Sequence, residues 1–299
     1  MDEKAGKINT FLKYLQFEKR YSLHTVLSYQ TDLVQFEQFL KTTFPDITPD
    51  SAYHSVIRSW IIHLSEKKMD PPSINRKIAC LRSYYKFLLR EDVISVSPML
   101  KIKVLKTKRK LPHFVQEADM VSLLDHGVFG DDHKGRREAL ILELFYGTGM
   151  RLSEMISLRE NQINFREQTL KVLGKRNKER VIPFSGSLVS VIEAYRTARN
   201  KEVKTKDNGL LLVTDKGEKL YPVMVNRIVK KYLKLYSSVE KKSPHVLRHT
   251  YATHLLNKGA EINAVKDLLG HSSLAATQVY THNTIEKLKK TFDQAHPKA

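Results

Sequence analysis

Cysteine is almost absent from this chain of 299 residues, which contains one, Cys80. A single thiol excludes an intramolecular disulfide, and its place between Ala79 and Leu81 in an apolar stripe predicts a buried structural role. Long apolar runs are also missing, since none approaches the ~20 residues that a membrane-spanning helix needs. The polar N-terminus lacks the apolar core of a signal peptide. We therefore expect a cytoplasmic protein that does not insert into a membrane.

Acidic residues are scarce relative to basic ones. The chain has 51 Lys and Arg against 32 Asp and Glu, a formal net charge of +19. An excess of this size favours a polyanionic partner, and nucleic acid is the commonest one, although a basic protein without such a partner is the alternative. A hydrophobic fraction of 41% with only 12 Gly and 10 Pro argues against disorder. At this length we expect two domains.

The first hundred residues read as helices only. Ser22 is a candidate N-cap, and apolar residues follow it at helical spacing. A second stripe runs from Val56 to Leu64, and Ser73 is predicted to cap the helix after the Pro71-Pro72 break. Four short helices around one core are expected. The helix after Ser73 carries basic residues that contact either solvent or phosphate: Arg76, Lys77, Arg82, Lys86 and Arg90.

A basic segment follows these helices. Between Lys101 and Lys110 six of ten residues are basic and none is acidic. We predict that 101–112 is a linker that packs against no core. Ten extended residues reach about 33 Å, which exceeds the ~12 Å width of a DNA major groove. The segment is therefore long enough to join two domains on opposite sides of a duplex.

The remainder, 113–299, is predicted to be mostly helical with one small sheet. Residues 169–173 and 180–184 alternate like paired strands around a turn of hairpin composition. Helical patterns cover nine further segments: 117–124, 136–146, 152–158, 187–199, 222–236, 244–258, 261–269, 273–281 and 285–295.

Six residues of this second half suggest a chemistry. Five carry nitrogen and suit a phosphate, and the sixth is a phenol: Arg151, Lys175, His245, Arg248, His271 and Tyr280. Cleaving a phosphodiester requires a nucleophile, charge compensation on the non-bridging oxygens, and a proton for the leaving alkoxide. Arginine suits the second role because its planar fork binds two oxygens and stays charged.

Local patterns place the two arginines. Arg151 follows a glycine-rich break and opens a helix, where backbone amides assist anion binding. Ser243 as N-cap and Pro244 as the first helical residue place His245 in an opening turn. Arg248 follows His245 by three residues, hence on the same helical face. Alone, this pattern also fits an ordinary surface helix.

The other candidates depend more on context. His271 and Tyr280 lie nine residues apart, on opposite faces of any continuous helix, so they converge only if the helix restarts at Ser272 or Ser273. Among cations, the phenolate form of Tyr280 is favoured. Lys175 is assigned to the hairpin turn, where a flexible ammonium can reach a leaving oxygen.

Two alternatives concern these assignments. Arg176 and Lys178 compete with Lys175, because all three basic residues share the predicted turn. His245 and His249 have the spacing of a metal pair. Val246 stands where such a motif has a catalytic glutamate, and Arg248 would repel a cation, so no metal is expected.

Over about 140–285 the chain closely resembles the tyrosine recombinases, and most closely their Xer-type bacterial members. Three segments carry the resemblance, in family order and at suitable separations: Gly149-Met150-Arg151-Leu152-Ser153-Glu154, His245 to Leu256, and Leu269-Gly270-His271-Ser272-Ser273 with Thr277 to His282. Each motif alone is weak or moderate evidence, whereas the ordered set is strong. The first hundred residues fit by helical character and position, and Arg176 stands where many relatives have glycine.

The resemblance implies a fold that is mainly α with a small β-sheet, forming a two-domain DNA clamp. It comprises a SAM-like, four-helix core-binding domain at 1–100, the basic linker at 101–112 and an α+β catalytic domain at 113–299. It also implies a role for each candidate: Tyr280 attacks the scissile phosphate to form a 3′-phosphotyrosyl bond, Arg151, Arg248 and His271 stabilise the transition state, His245 assists proton transfer, and Lys175 protonates the 5′-oxygen.

The same resemblance implies site-specific recombination of double-stranded DNA by strand exchange, in a homo- or hetero-tetramer on two DNA sites, with no metal, ATP or other cofactor. A terminal helix with Ile285, Leu288 and Phe292 docks either on a neighbouring subunit or on its own domain. Chromosome dimer resolution, mobile-element integration and inversion remain open as tasks. The rival interpretations are a type IB topoisomerase-like enzyme that relaxes DNA and a DNA-binding protein without catalysis.

Overall fold

The computed structural model describes residues 6–107, 113–173, 179–204, 209–270 and 282–297. The chain divides into two compact units, Met1–Lys110 and Leu111–Ala299. Within the described residues, no helix is both long and apolar enough to cross a membrane. The assignment of 101–112 as a linker that joins two domains on opposite sides of a duplex stays a prediction.

All regular secondary structure in the described part of the N-terminal unit is helical. Its elements are α1 (Gly6–Lys13), a π-helical turn (Tyr14–Glu18), α2 (Leu23–Thr43), α3 (His54–Glu66) and α4 (Pro71–Arg90). Their apolar faces enclose one core, in which the rings of Phe36 and Trp60 lie 4.8 Å apart. The prediction of four helices around one core is confirmed.

The two predicted caps of this unit differ in outcome. The hydroxyl of Ser22 accepts the Thr25 amide at the start of α2, as predicted. Ser73 does not cap α4. Its amide donates to Asp70, which is the actual N-cap, at 3.3 Å. The helix begins earlier than expected because the fixed φ of proline suits the first helical positions, so the Pro71-Pro72 pair opens the helix instead of breaking it.

A buried ion pair joins α2 to α4. Lys77 donates to Asp32 at 2.7 Å, and both side chains are almost fully buried. Arg76 also donates to Asp32, from the protein surface. The basic residues of α4 are therefore not a uniform solvated or phosphate-binding face. Lys77 belongs to the core, and the guanidinium of Arg82 donates to the carbonyl of Ile102.

The basic segment after α4 is partly packed, contrary to expectation. Ile102 is buried in the N-terminal core, and Leu105 packs against the same core. The Asn75 side chain exchanges two hydrogen bonds with the backbone of Leu105, at 2.8 and 2.9 Å. The prediction that this segment packs against no core is wrong for these two residues, because its apolar side chains alternate with the lysines.

The C-terminal unit is α+β, as predicted. Its helices are α5 (Glu117–His126), α6 (His133–Thr148), α7 (Leu152–Ile156), α8 (Gly186–Glu202), α9 (Pro222–Tyr236), α10 (Pro244–Asn257), α11 (Ile262–Leu269) and α12 (His282–Ala295). Every side chain of α6 from Leu140 to Tyr146 is buried. A helix that is buried on all sides forms the centre of a core, and α5, α7, α8, α9 and α10 all contact α6.

The sheet has three antiparallel strands in the order β1 (Ile163–Asn164), β2 (Thr169–Leu173) and β3 (Glu179–Pro183). The β2–β3 register runs from Thr169 opposite Pro183 to Leu173 opposite Glu179. The predicted strand pair is therefore present. β1 was not foreseen, because two residues are too few to show alternation. The predicted helix over 273–281 lies outside the described residues.

The end of the chain packs on its own unit. Phe292 and Ala295 of α12 are buried in a cluster with residues of α10 and α11. His296 stacks on the Phe292 ring at 4.7 Å, and its Nε2 lies 3.1 Å from the carbonyl oxygen of Tyr146 in α6. The helix therefore contacts its own unit at Phe292 and Ala295. The side chains of Ile285 and Leu288 lie outside the described residues, and docking on a neighbouring subunit stays a prediction.

The Asp32 carboxylate is predicted to hold the N-terminal unit together. Asp32→Asn leaves the Lys77 ammonium buried without a charged partner, so we expect a loss of about 3–5 kcal/mol in the free energy of unfolding. Urea titration followed by fluorescence reports on this unit alone, because Trp60 is the sole tryptophan. The control is Asp46→Asn, at an exposed position. Equal midpoints for the two variants would contradict the prediction.

Candidate functional site

Arg151 and Arg248 converge where two helices end. α6 and α11 both terminate at a glycine in the left-handed conformation, Gly149 (φ 59°) and Gly270 (φ 62°). Arg248, from α10, donates to the carbonyls of Gly149 and Leu269. Arg151 donates to the carbonyl of Gly270 at 2.8 Å. The carbonyl ends of helices carry partial negative charge, so they hold both cations without neutralising them.

Gly149 meets two requirements at this junction. Its positive φ is one that other residues rarely adopt. A Cβ atom on Gly149 would lie 2.4 Å from Cδ1 of Tyr251, a fully buried ring of α10. The close approach of α6 to α10 therefore depends on glycine here, and the same carbonyl that Arg248 binds is fixed by it.

A buried carboxylate lies behind the two arginines. Glu154, in α7, receives the backbone amide of Arg151 at 2.7 Å and its guanidinium at 2.9 Å. Arg180, from β3, makes a bidentate pair with the same carboxylate at 2.7 and 2.9 Å. Both Glu154 and Arg180 have side chains only 3% exposed. Arg151 is 30% exposed, so part of its guanidinium faces outward.

The charges in this cluster shift two pKa values. Burial by itself would raise the pKa of Glu154, but the hydrogen bonds and charge of Arg180, and the bonds from Arg151, outweigh it and lower the pKa to about 2. Burial lowers the pKa of Arg248 to about 10, with Arg151 and Arg180 contributing repulsion. Glu154 is thus ionised and Arg248 cationic at neutral pH.

The cluster has an excess of positive charge. Three guanidiniums, those of Arg151, Arg180 and Arg248, surround one carboxylate, which leaves two positive charges. Among the described residues, the hydrogen bonds of Arg248 go to carbonyl oxygens. Bringing an anion against Arg151 and Arg248 would relieve their mutual repulsion. The arrangement is suited to a phosphate, with two forked donors held in place beforehand.

The two histidines of α10 differ in exposure. His245 lies exposed in the first turn, three residues before Arg248, as predicted. His249 is half-buried, its ring nitrogen lies 3.5 Å from the Thr253 hydroxyl, and burial lowers its pKa. Ser243 occupies the N-cap position of α10 without a capping hydrogen bond from its side chain. The predicted opening-turn position of His245 is present.

Three candidates fall outside the described residues: Lys175, His271 and Tyr280. The described residues on either side of Lys175 in the sequence are Leu173 and Glu179, which form the last pair of the β2–β3 ladder. The residue before His271 is Gly270, whose carbonyl Arg151 binds. The roles of all six candidates stay predictions.

Sequence reasoning missed two residues of the cluster, Glu154 and Arg180. Glu154 follows Arg151 by three residues at the start of a helix, a spacing typical of a capping box, and it does accept the Arg151 amide. Arg180 lies two residues before the buried Ile182 on β3, so the two side chains share one face of the strand. A charged residue on the inward face of a strand was the available signal, because buried charges are paired.

Family models match both units. Residues 113–287 match the phage integrase family, and residues 8–92 match the SAM-like N-terminal domain of phage integrases. The first match covers more than half of the chain, and it includes all six candidate residues. The chain therefore belongs to the phage integrase family.

Curated relatives extend the match to the full chain. It is 36% identical to the tyrosine recombinase XerC of Chlorobaculum parvum, covering 98% of this chain and 94% of the relative. It is 38% identical to XerC of Staphylococcus saprophyticus, covering 97% and 96%. It is 34% identical to XerC of Bacillus subtilis, covering 100% and 99%. The identification from sequence as an Xer-like, tyrosine-type site-specific DNA recombinase is confirmed.

Solved structures share the fold. The XerH recombinase in a post-cleavage complex with its difH substrate aligns with a TM-score of 0.72 at 19% identity, covering 95% of this chain and 83% of that one. The Tn1549 transposon integrase in complex with transposon right-end DNA aligns with a TM-score of 0.70 at 20% identity, covering 96% and 99%. The predicted fold class, mainly helical with a SAM-like N-terminal domain and an α+β catalytic domain, is confirmed.

Glu154 is predicted to make stability depend on pH below neutrality. Its folded pKa of about 2 lies below its ordinary 4.5, so its contribution is present above pH 4.5 and is lost as pH falls towards 2. Melting temperatures of wild type and Glu154→Gln should therefore differ most near pH 7 and converge below pH 4.5. Glu193→Gln, on an exposed face of α8, is the control. A gap that stays constant down to pH 3 would contradict this cause.

Proposed function

We propose that this chain cuts and rejoins double-stranded DNA at a specific site through a covalent bond to Tyr280. The observation that carries the proposal is the convergence of Arg151 and Arg248 on the paired ends of α6 and α11. Two fixed guanidiniums can compensate the negative charge on the non-bridging oxygens of the phosphodiester in the transition state. The family membership of the chain supports the nucleophile assignment.

The proposed reaction is an exchange of phosphodiesters. Tyr280 loses its phenolic proton with the assistance of His245, its oxygen attacks the scissile phosphorus, a 3′-phosphotyrosyl bond forms, and the bond to the 5′-oxygen breaks. Lys175 gives that oxygen its proton, so a 5′-hydroxyl departs. His245 assists proton transfer, and His271 stabilises the transition state together with Arg151 and Arg248. A 5′-hydroxyl from another strand then reverses the steps.

This chemistry assigns no role to a metal or a nucleotide. The phosphotyrosyl bond is also a phosphodiester, so the energy of the broken bond is retained for rejoining. Arg151 and Arg248 provide the electrophilic assistance that a divalent cation supplies in many other phosphoryl-transfer sites. The proposal therefore includes no cofactor.

The basic composition of the chain supports DNA as the partner. The net charge of +19 provides the counterion-releasing contacts on which DNA affinity depends. The outward face of α9, which contacts both α7 and α10, exposes Arg227, Lys230 and Lys234. We further propose that four subunits, identical or of two kinds, assemble on two DNA sites in the cytoplasm, where such DNA is found.

The relatives support a class of reaction for this chain and no single biological task. The relatives are named tyrosine recombinase XerC, which supports site-specific recombination, and chromosome dimer resolution, integration and inversion of a mobile element are all tasks of this kind. A type IB topoisomerase-like enzyme would share the phosphotyrosyl chemistry but would not exchange partners. A DNA-binding protein without catalysis would form no phosphotyrosyl bond and would exchange no partners.

Replacing the proposed nucleophile tests the chemistry. Tyr280→Phe removes the attacking oxygen, so it should form no covalent adduct with a nicked trapping duplex, whereas wild type should form one that migrates as protein joined to a 3′ end. The assay is denaturing electrophoresis of labelled DNA.

Matched controls separate the rival functions. Tyr221→Phe changes an exposed tyrosine at the start of α9 and should leave adduct formation intact. Absence of an adduct with wild type would favour the non-catalytic DNA-binding protein. Relaxation of supercoiled DNA without exchange between two labelled duplexes would favour the topoisomerase-like enzyme.

A sulfur substitution tests the proposed acid. Lys175→Ala should cleave an ordinary duplex about 100-fold or more slowly than wild type does, because the 5′-alkoxide leaves without a proton. Cleavage should recover when sulfur replaces the 5′-bridging oxygen, since a thiolate needs little protonation. Rates come from single-turnover adduct formation.

The neighbouring basic residues provide the controls for this test. Arg176→Ala and Lys178→Ala should cleave the ordinary duplex at nearly the wild-type rate, with no gain specific to sulfur. Rescue of Lys178→Ala in place of Lys175→Ala would transfer the acid role to Lys178.

A further inference from the structure

Arg180 occupies an unusual place for a charged residue. It lies on β3, opposite Val172 of β2, with its side chain turned to the interior. The guanidinium is buried on the same strand face as Ile182. Burying an arginine is costly unless every part of it is paired, so the partners it contacts indicate what its burial achieves.

Those partners come from two segments that carry candidate catalytic residues. Two Nη atoms of Arg180 bind both oxygens of Glu154, the carboxylate that holds Arg151. Its Nε donates to the carbonyl of Leu268, in the last turn of α11, at 3.0 Å. The Cδ of Arg180 lies beside Gly270, where an added Cβ would be only 3.0 Å away.

The contacts form a closed circuit. From Arg180 the circuit passes through Glu154 to Arg151, from Arg151 to the carbonyl of Gly270, and through the end of α11 at Leu268 back to Arg180. The strand that bears Arg180 is β3, so the circuit links the sheet to the start of α7 and to the end of α11. A single side chain therefore joins three segments that sequence reasoning had treated separately.

Charge gives this circuit a purpose beyond packing. Without Arg180, the Glu154 carboxylate would be left to Arg151 alone and would draw that guanidinium inward as its main counterion. With Arg180 present, Glu154 is already satisfied by a bidentate pair, the strongest geometry available to it. Arg151 then keeps the outward-facing part of its guanidinium available to an anion.

We propose that Arg180 is a positioning residue for strand cleavage. It neutralises Glu154 and fixes the end of α11, so that Arg151, which binds the Gly270 carbonyl, is presented to the scissile phosphate. The proposal rests on the proposed function, because it names what prepares the same site. Arg180 itself contacts no substrate.

The decisive comparison is between two buried arginines. Arg180→Met removes the charge and all three bonds while keeping an unbranched side chain. Arg199→Met is the matched control, since Arg199 of α8 is also buried, pairs with Glu160 at 2.6 Å and donates to the carbonyl of Leu211, whereas none of its contacts among the described residues reaches the cluster. Melting temperatures show how much stability each variant loses.

The cleavage assay then separates positioning from folding. At saturating protein on a trapping duplex, Arg180→Met should form adduct about 100-fold more slowly than wild type, as expected for misplaced catalytic groups. Its affinity for the uncut duplex should stay within about threefold, since most phosphate contacts are unaffected. Arg180→Lys, which keeps the charge but lacks the fork, should recover part of the rate.

The pH profile adds a measurement that a purely structural role would not change. Losing Arg180 removes the main cause that lowers the Glu154 pKa, so the acidic limb of cleavage should move to higher pH in Arg180→Met. Arg199→Met should keep the wild-type profile. Equal rates and equal profiles for the two methionine variants, at equal stability, would overturn the proposal.

Amide hydrogen exchange keeps the test independent of catalysis. In Arg180→Met, exchange should rise both at Arg151–Glu154 and at Leu268–Gly270, and Arg199→Met should change neither segment. If wild type forms no adduct, the proposed function fails, yet increased exchange in both segments would still establish that Arg180 positions the cluster. Unchanged exchange in either segment would reject the circuit, whatever the activity of wild type.

Discussion

One buried carboxylate, that of Glu154, organises the catalytic unit. An ionised carboxylate loses its hydration on burial, so it must be surrounded by donors. Here the donors come from β3 through Arg180 and from the start of α7 through Arg151. Because two separate elements satisfy a single anion, the sheet and α7 have one favourable relative position. The guanidiniums that pair with Glu154 then hold the last turn of α11.

The second principle of the site is that its cations bind carbonyls. Arg248 is held by the C-terminal ends of α6 and α11, where unpaired carbonyls require donors in any case. Left-handed glycines at Gly149 and Gly270 end both helices, and they let those carbonyls face the arginines. Partial charges fix the geometry of the guanidiniums but leave their full charge for a ligand. Fold and chemistry thus use the same helix termini.

Much of this was predictable from local patterns, and the rest depended on distant contacts. Helical spacing, the Ser22 cap and the β2–β3 pair follow from residues that are close together in the sequence, and motifs indicated Arg151, His245 and Arg248. The cap of α4 was misassigned because the proline pair was interpreted as a break. Glu154 and Arg180 were missed because their pairing joins residues 26 apart, and Ile102 because its burial depends on helices that precede it. Nothing local distinguishes a lysine such as Lys77, buried beside Asp32, from a solvated one.

The packing of the last helix has a consequence for biosynthesis. Val115 donates its amide to Thr250, and His296 contacts the Tyr146 carbonyl across 150 positions of sequence. Closure of the C-terminal core therefore requires residues near 296, whereas the N-terminal helices complete their core within the first 105. During translation the N-terminal unit can fold while the rest is still being made. The arginine cluster requires residues up to Gly270, so a ribosome-bound chain can carry a folded N-terminal unit before it carries this cluster.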